Sequence, residues 1–276
     1  MELVCMGGFI LAAMVIALDN ITFSYGAGTK NLFEHLSLEI AAGESVCLLG
    51  ANGSGKSTLL KIFCGLVFPI AGNYRAFGQK ITEELLEENH FAQKFHRRIG
   101  FIFQNSDAQL FTSQVWDEIA FGPLQMGLSK AEVKNRVDDV LAMLNIQNLA
   151  ERSPYRLSGG EKKKVAVAST LVLNPEVLIL DEPTNGLDPK TQRWLVDLLL
   201  ELNKHGRTII TSTHNLDLAH AISRRALVLS EEHRLVYDGP CHQAVENNQL
   251  LMEVNLIDEY CHMHGESQHN HLYKHG

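Results

Sequence analysis

The sequence predicts an α/β fold with a mainly parallel core sheet and a helical insertion. Three observations lead there. Short apolar runs alternate with longer amphipathic ones, the pattern of strand–helix units. A glycine-rich turn directly follows one apolar run and opens a helical stretch. Between about residues 81 and 156, acidic and apolar residues recur at helical spacing, with few strand signals after Phe103.

Along the chain, the first strand is expected from Met14, with Asp19 to Tyr25 continuing a strand-and-turn pattern. Residues 1–13 form a loose extension ahead of it. They are almost wholly apolar, which invites a signal or membrane reading. Yet Glu2 sits among them, no Lys or Arg precedes them, and Gly7-Gly8 interrupts a run at the short limit for a bilayer. A translation start placed too early would also explain the stretch. Buried-strand candidates follow at 46–50, 99–103, 177–180, 208–212 and 226–229. Helices are expected at 57–66, 130–144, 159–173 and 189–203. This divides the chain into the extension, a main domain over 14–250 and a polar, His-rich, flexible tail over 251–276. No other stretch is suited to crossing a membrane, so a membrane role requires a partner.

The length of 276 residues suits one α/β domain carrying a smaller helical insertion. A formal net charge of -8 argues against a non-specific nucleic-acid binder, whose footprint would be basic. Cys5, Cys47, Cys64, Cys241 and Cys261 are scattered without CxxC spacing, which reads as free thiols in a reducing compartment.

Three motifs carry chemistry. Gly50-Ala51-Asn52-Gly53-Ser54-Gly55-Lys56-Ser57 fits the phosphate-loop pattern between a strand and a helix. Glycines let the backbone wrap a phosphate with its N–H groups inward, and the helix adds the positive end of its dipole. Lys56 then reaches the β/γ-phosphates, and the Ser57 hydroxyl takes one Mg²⁺ position. The apolar run before Asp181-Glu182 ends in two carboxylates, one to hold Mg²⁺ through water and one to deprotonate an attacking water. Leu157-Ser158-Gly159-Gly160-Glu161 opens a helix with a second anion-binding turn. A chain with one phosphate loop and a separate phosphate-facing helix start holds half of two sites.

These motifs, in this order, resemble the ABC ATPase family, whose signature loop reads Leu-Ser-Gly-Gly-Gln; Glu161 stands here in place of the glutamine. The resemblance covers about residues 15 to 250. It implies a P-loop NTPase of the ABC ATPase fold, with a mainly parallel core sheet, an N-terminal antiparallel β-subdomain and a helical insertion subdomain. It implies ATP hydrolysis with Mg²⁺, and two such subunits, identical or different, packed head to tail. Each ATP would lie between the phosphate loop of one chain (Gly50, Asn52, Gly53, Ser54, Gly55, Lys56, Ser57, Thr58) and the Ser158, Gly159 and Gly160 turn of the other. Tyr25 matches the aromatic that stacks on adenine, although a plain surface or core tyrosine stays open. Gln104 matches the glutamine that senses Mg²⁺ and the γ-phosphate and links to the membrane partner. Asp181 matches the Mg²⁺ carboxylate and Glu182 the base. Asp188, in Asn185-Gly186-Leu187-Asp188, matches the loop that crosses the dimer interface, and His214 the switch histidine at the γ-phosphate.

A narrower resemblance rests on Gln104-Asn105-Ser106-Asp107-Ala108-Gln109-Leu110-Phe111 and the following Phe121-Gly122-Pro123. It is to the energy-coupling-factor importers, in which Ser106 is usually proline. The run from Ser212 to Ala219 leans towards their cobalt and nickel branch. That implies a peripheral translocase subunit on the cytoplasmic face of the cell membrane. Its partners would be a transmembrane coupling subunit and a substrate-binding membrane component. Vitamin import keeps the mechanism and changes the cargo. A soluble ABC ATPase acting on nucleic acid or ribosomes would carry long coiled coils or tandem units, and neither is present. Finally, Cys261, His262, His264, His269, His271 and His275 gather five imidazoles and a thiol within fifteen residues, a ligand set suited to nickel or cobalt. A polar end with incidental histidines is the plainer alternative.

Overall fold

The computed structural model describes residues 13–26 and 28–257. The chain opens with β1 (Met14–Phe23) and β2 (Phe33–Ala41), an antiparallel pair. On β2, Phe33, Leu36, Leu38 and Ile40 are buried while Glu34, Ser37 and Glu39 are exposed, as expected of a strand with one face on a core. β3 (Ser45–Leu49) then runs into the glycine-rich loop and α1 (Lys56–Phe63). This helix stops short of the expected residue 66 because Gly65, at φ +63°, takes the left-handed conformation that ends helices. β4 (Ala71–Ala76) and β5 (Gln79–Lys80) return to the first pair, giving an antiparallel sheet in the order β2-β1-β4-β5.

Two helices, α2 (Glu83–Glu87) and α3 (Asn89–Arg98), lead to β6 (Ile99–Ile102). A helical block follows, made of α4 (Val115–Gln125), α5 (Lys130–Met143) and α6 (Gly159–Leu171). Within the segment from 81 to 156, the strand expected at 99–103 is β6, which pairs in parallel with β7 (Val177–Asp181), with Ile99 and Ile102 buried in the core. The uninterrupted helical part begins after that strand. α6 stops at Leu171, two residues before the expected end. Asn174 lies at φ +56° and Pro175 follows it, and neither continues a helix.

The chain continues through α7 (Pro189–Lys204), β8 (Thr208–Ser212), α8 (Leu216–Ile222), β9 (Arg225–Leu229) and β10 (Leu235–Pro240). The second sheet has the order β10-β9-β3-β8-β7-β6, parallel except where β10 meets β9. β3 and β8 are buried at every residue, which is why their sequences read as continuous runs rather than alternations. Helices cover both faces, so the C-terminal strand ends form one rim, where open parallel sheets bind ligands.

α9 (Cys241–Glu246) and α10 (Asn248–Glu253) close the described chain. Leu250, Leu251 and Val254 are buried there, so the folded unit runs past the expected boundary at residue 250. The N-terminal residues 1–12 and the tail residues 258–276, with Cys261, His262, His264, His269, His271 and His275, lie outside the described residues. Cys47, Cys64 and Cys241 are buried free thiols. Among the described residues, no helix is long and apolar enough to cross a membrane.

Candidate functional site

The glycine-rich loop leaves β3 through a backbone that only glycine tolerates at two places. A Cβ on Gly50 would stand 2.6 Å from the Leu229 carbonyl oxygen and from Ser54 Oγ. Gly55 caps α1 at φ +101°, where a Cβ would stand 2.8 Å from the buried Phe33 ring. With the loop so wrapped, the Lys56 ammonium folds back and donates to the carbonyls of Gly50 at 2.7 Å and Ala51 at 3.1 Å. Burial lowers its pKa, opposed by the charges of Glu182 and Asp181. Ser54 Oγ is buried without a hydrogen-bond partner. Such an orphan costs about 1–3 kcal/mol, and a phosphate oxygen held by this loop is the kind of group that satisfies it.

Next along the rim, β7 ends at Asp181 and the chain turns at Glu182, a non-glycine residue at φ +41°. Parallel register sets Ser212 of β8 beside Asp181. The Ser212 hydroxyl donates to Asp181 Oδ1 and accepts the Glu182 N–H at 3.1 Å, fixing both carboxylate-bearing residues from one point. Glu182 Oε1 in turn lies 3.0 Å from His214 Nδ1. The glutamate side chain is 12% exposed and the histidine 54%, so the pair has a sheltered carboxylate and an open imidazole.

These groups share one cleft of about 430 Å³, lined by Lys56, Ser57, Gln104, Glu182 and His214 together with Tyr25. Asn52, Gly53, Gly55 and Thr58 complete the loop side. Tyr25 keeps most of its ring exposed. Its hydroxyl is 2.7 Å from Thr58 Oγ1, and its ring packs roughly perpendicular to the Phe23 ring at 5.0 Å between centroids. The exposed face is therefore held in place and open to stacking by a flat group.

The Ser158 turn is built separately. Ser158 is the N-cap of α6 in a reciprocal capping box: its hydroxyl accepts from the Glu161 N–H, and the Glu161 carboxylate accepts from the Ser158 N–H at 2.8 Å and hydroxyl at 2.9 Å. These bonds hold Glu161 below the usual carboxylate range. Gly160 lies against the start of α7, where a Cβ would stand 2.7 Å from Thr191 Oγ1 and 3.4 Å from Asp188 Oδ2. Asp188 caps α7, accepting from the N–H groups of Lys190 and Thr191 and, at 2.6 Å, from the Thr191 hydroxyl. The Ser158–Gly160 turn and Asp188 are thus neighbours, and neither lines the cleft that holds Lys56 and Glu182.

The Gln104 segment joins the two regions. Lys163, buried on α6, donates to the Phe103 carbonyl at 3.1 Å and the Gln104 carbonyl at 3.3 Å. Burial brings its pKa down to about 8. Gln109 bonds the Ala166 carbonyl and the Thr170 hydroxyl from the same segment. Sequence reasoning did not select Ser212 or Lys163 as site residues. Ser212 was signalled by a hydroxyl ending an apolar strand. Lys163 carries no such mark, since Lys162 and Lys164 also have apolar residues three and four positions on.

Comparison with known proteins adds four likenesses. The ABC transporter family profile matches residues 33–185. The nickel import ATP-binding protein LarO of Lactiplantibacillus plantarum is 46% identical over 81% of this chain and 92% of its own. Among solved structures, cbiO1 of Clostridium perfringens, part of the ABC transporter complex cbiONQ, superposes with a TM-score of 0.76 at 33% identity. That match covers 88% of this chain and 95% of the other. The dimeric post-hydrolysis structure of the ATP-binding cassette MJ0796, bound to ADP and Pi, gives a TM-score of 0.73 at 27% identity, covering 82% and 98%.

Proposed function

Since this chain belongs to the ABC transporter family of ATP-binding proteins, we propose that it powers an energy-coupling-factor importer for nickel or cobalt ions. ATP hydrolysis is the activity of the family, and its ATPases work as dimers with transmembrane components. The cargo reading draws on the nickel import relative, on the cbiONQ subunit and on the Gln104–Pro123 resemblance. One observation carries the division of labour. The Ser158 turn lies outside the cleft containing Lys56, so it is free to serve the nucleotide of a second chain.

In this reading the phosphate loop and Lys56 hold the β- and γ-phosphates, and Tyr25 stacks on adenine. The partner's signature turn closes over the γ-phosphate, as its helix dipole favours. Glu182 takes the proton of the attacking water, while His214 hydrogen-bonds a γ-phosphate oxygen and Asp188 crosses to the second chain. The donor set also fits magnesium. The Ser57 hydroxyl, Gln104 amide and Asp181 carboxylate are hard oxygen ligands, and a bound ion would neutralise charge developing on the phosphates.

The exposed rings of Phe103, Phe111 and Phe121 beside the Gln104 segment offer an apolar surface for the coupling subunit, in keeping with a peripheral position on the cytoplasmic membrane face. Replacing Ser158 and Gly160 should abolish ATP hydrolysis while the single chain still binds ATP. Full-rate hydrolysis by a strictly monomeric variant would refute the shared site. Deleting residues beyond Leu256 should lower Ni²⁺ or Co²⁺ uptake at limiting metal and leave ATP hydrolysis unchanged. Equal uptake would remove the role of the tail ligands.

A further inference from the structure

We propose that Lys163 is a positioning residue that clamps the Gln104 segment to the signature helix. It would join the γ-phosphate contact in one nucleotide site to the signature grip on the other. The inference rests on the reading of Gln104 and Ser158 given above.

The geometry is local and specific. α6 begins at the Ser158 cap, and Lys163 lies five residues along it, about 7.5 Å at 1.5 Å per residue. Its ammonium bonds two successive carbonyls, those of Phe103 and Gln104. The residue is 1% exposed, a costly location for a charge, so burying it needs compensation that these dipoles supply. Gln109 makes a second attachment one to two turns further on, accepting the Phe103 N–H at 3.3 Å while donating to Ala166 and Thr170. The Gln104 segment is therefore pinned at both ends to one face of α6. A shift of Gln104 towards the γ-phosphate must drag α6, and with it Ser158, or break bonds to a buried charge. Such bonds are each stronger than neutral ones.

A purely structural lysine would affect stability alone. The clamp predicts a change confined to states in which the γ-phosphate is bound. The full-length chain is tested as Lys163→Met, which keeps length and burial but has no donor, as Lys163→Arg, and with Gln104→Ala alone and combined. Lys163→Met should lower the ATP turnover number about tenfold, with ADP affinity unchanged within about twofold. Lys163→Arg should recover most of the rate. In the Gln104→Ala background the methionine should cost less than about twofold, because both changes act through one element. Additive losses, or parallel losses in ADP affinity, would overturn the clamp. Should Lys163→Met not fold, Lys163→Gln carries the same double-substitution comparison. A wild-type rate indifferent to Gln104→Ala would instead overturn the role of Gln104, and the clamp with it.

Discussion

His214 Nδ1 lies 3.0 Å from Glu182 Oε1, an open imidazole just past β8 touching a sheltered carboxylate just past β7. This pair adjoins Lys56 in one cleft, so loss of the carboxylate and loss of the imidazole should have different consequences.

Glu182→Gln keeps size and hydrogen-bonding capacity but removes the proton acceptor. Turnover should fall by at least about a hundredfold, the usual range for losing a general base. ATP binding should persist, and gel filtration with ATP should show a trapped dimer. Normal phosphate release by this variant would reassign the base.

Ser212→Ala removes the hydroxyl that bonds both Asp181 and the Glu182 N–H. The Glu182 N–H keeps its bond to the Ser212 carbonyl, so folding should lose only about 1 kcal/mol. Turnover should drop about tenfold with ADP affinity preserved, because the carboxylates lose orientation rather than charge. Thermal melting and steady-state kinetics on one sample separate the two effects.

Gly55→Ala and Gly53→Ala should differ. At Gly53, φ is +86° but nothing lies within 4 Å of a Cβ, so the cost is left-handed strain of about 1 kcal/mol. At Gly55 the same strain is joined by a clash with Phe33, for about 3 kcal/mol in total. Thermal melts should rank them in that order. Equal melting temperatures would show that the loop relaxes away from the ring.

Glu161→Ala tests the capping box through pH. The folded-state pKa of Glu161 is depressed, first by the Ser158 N–H bond and then by its hydroxyl. Its contribution is therefore present above the unfolded value and lost as pH falls through the folded one. At pH 7 the variant should be less stable by about 0.5 kcal/mol, a capping effect reduced by solvent exposure. The gap should narrow as pH falls through the depressed folded-state pKa and the carboxylate protonates. A gap constant from pH 7 to 3 would show that the charge contributes nothing.

Much of the fold was legible because buried parallel strands are written as unbroken apolar runs. Thr208–Ser212 in the parallel sheet falls where the sequence puts it, as does Met14–Phe23 in the antiparallel one. Helix ends were harder, since Gly65 and Asn174 act through backbone conformation that composition does not reveal. Of the motif residues, Lys56, Ser57, Gln104, Glu182 and His214 line one cleft, whereas Asp181, Ser158, Gly160 and Asp188 do not. Ser212 was hidden because its partner Asp181 is set by sheet register, thirty-one residues away. Lys163 was hidden inside three consecutive lysines, of which only packing against the Gln104 segment picks one for burial.

The register of the sheet has a consequence for how such a site can change. Leu48, Ser212 and Asp181 sit side by side on three adjacent strands. Side chains alternate faces along a strand, so inserting or deleting one residue within 208–212 would turn Ser212 away and bring a neighbour in its place. The same edit in the exposed turn at Glu231 and Glu232 would only lengthen or shorten a hairpin loop. Variation in this protein can accumulate one substitution at a time along those strands, but never by a change in their length.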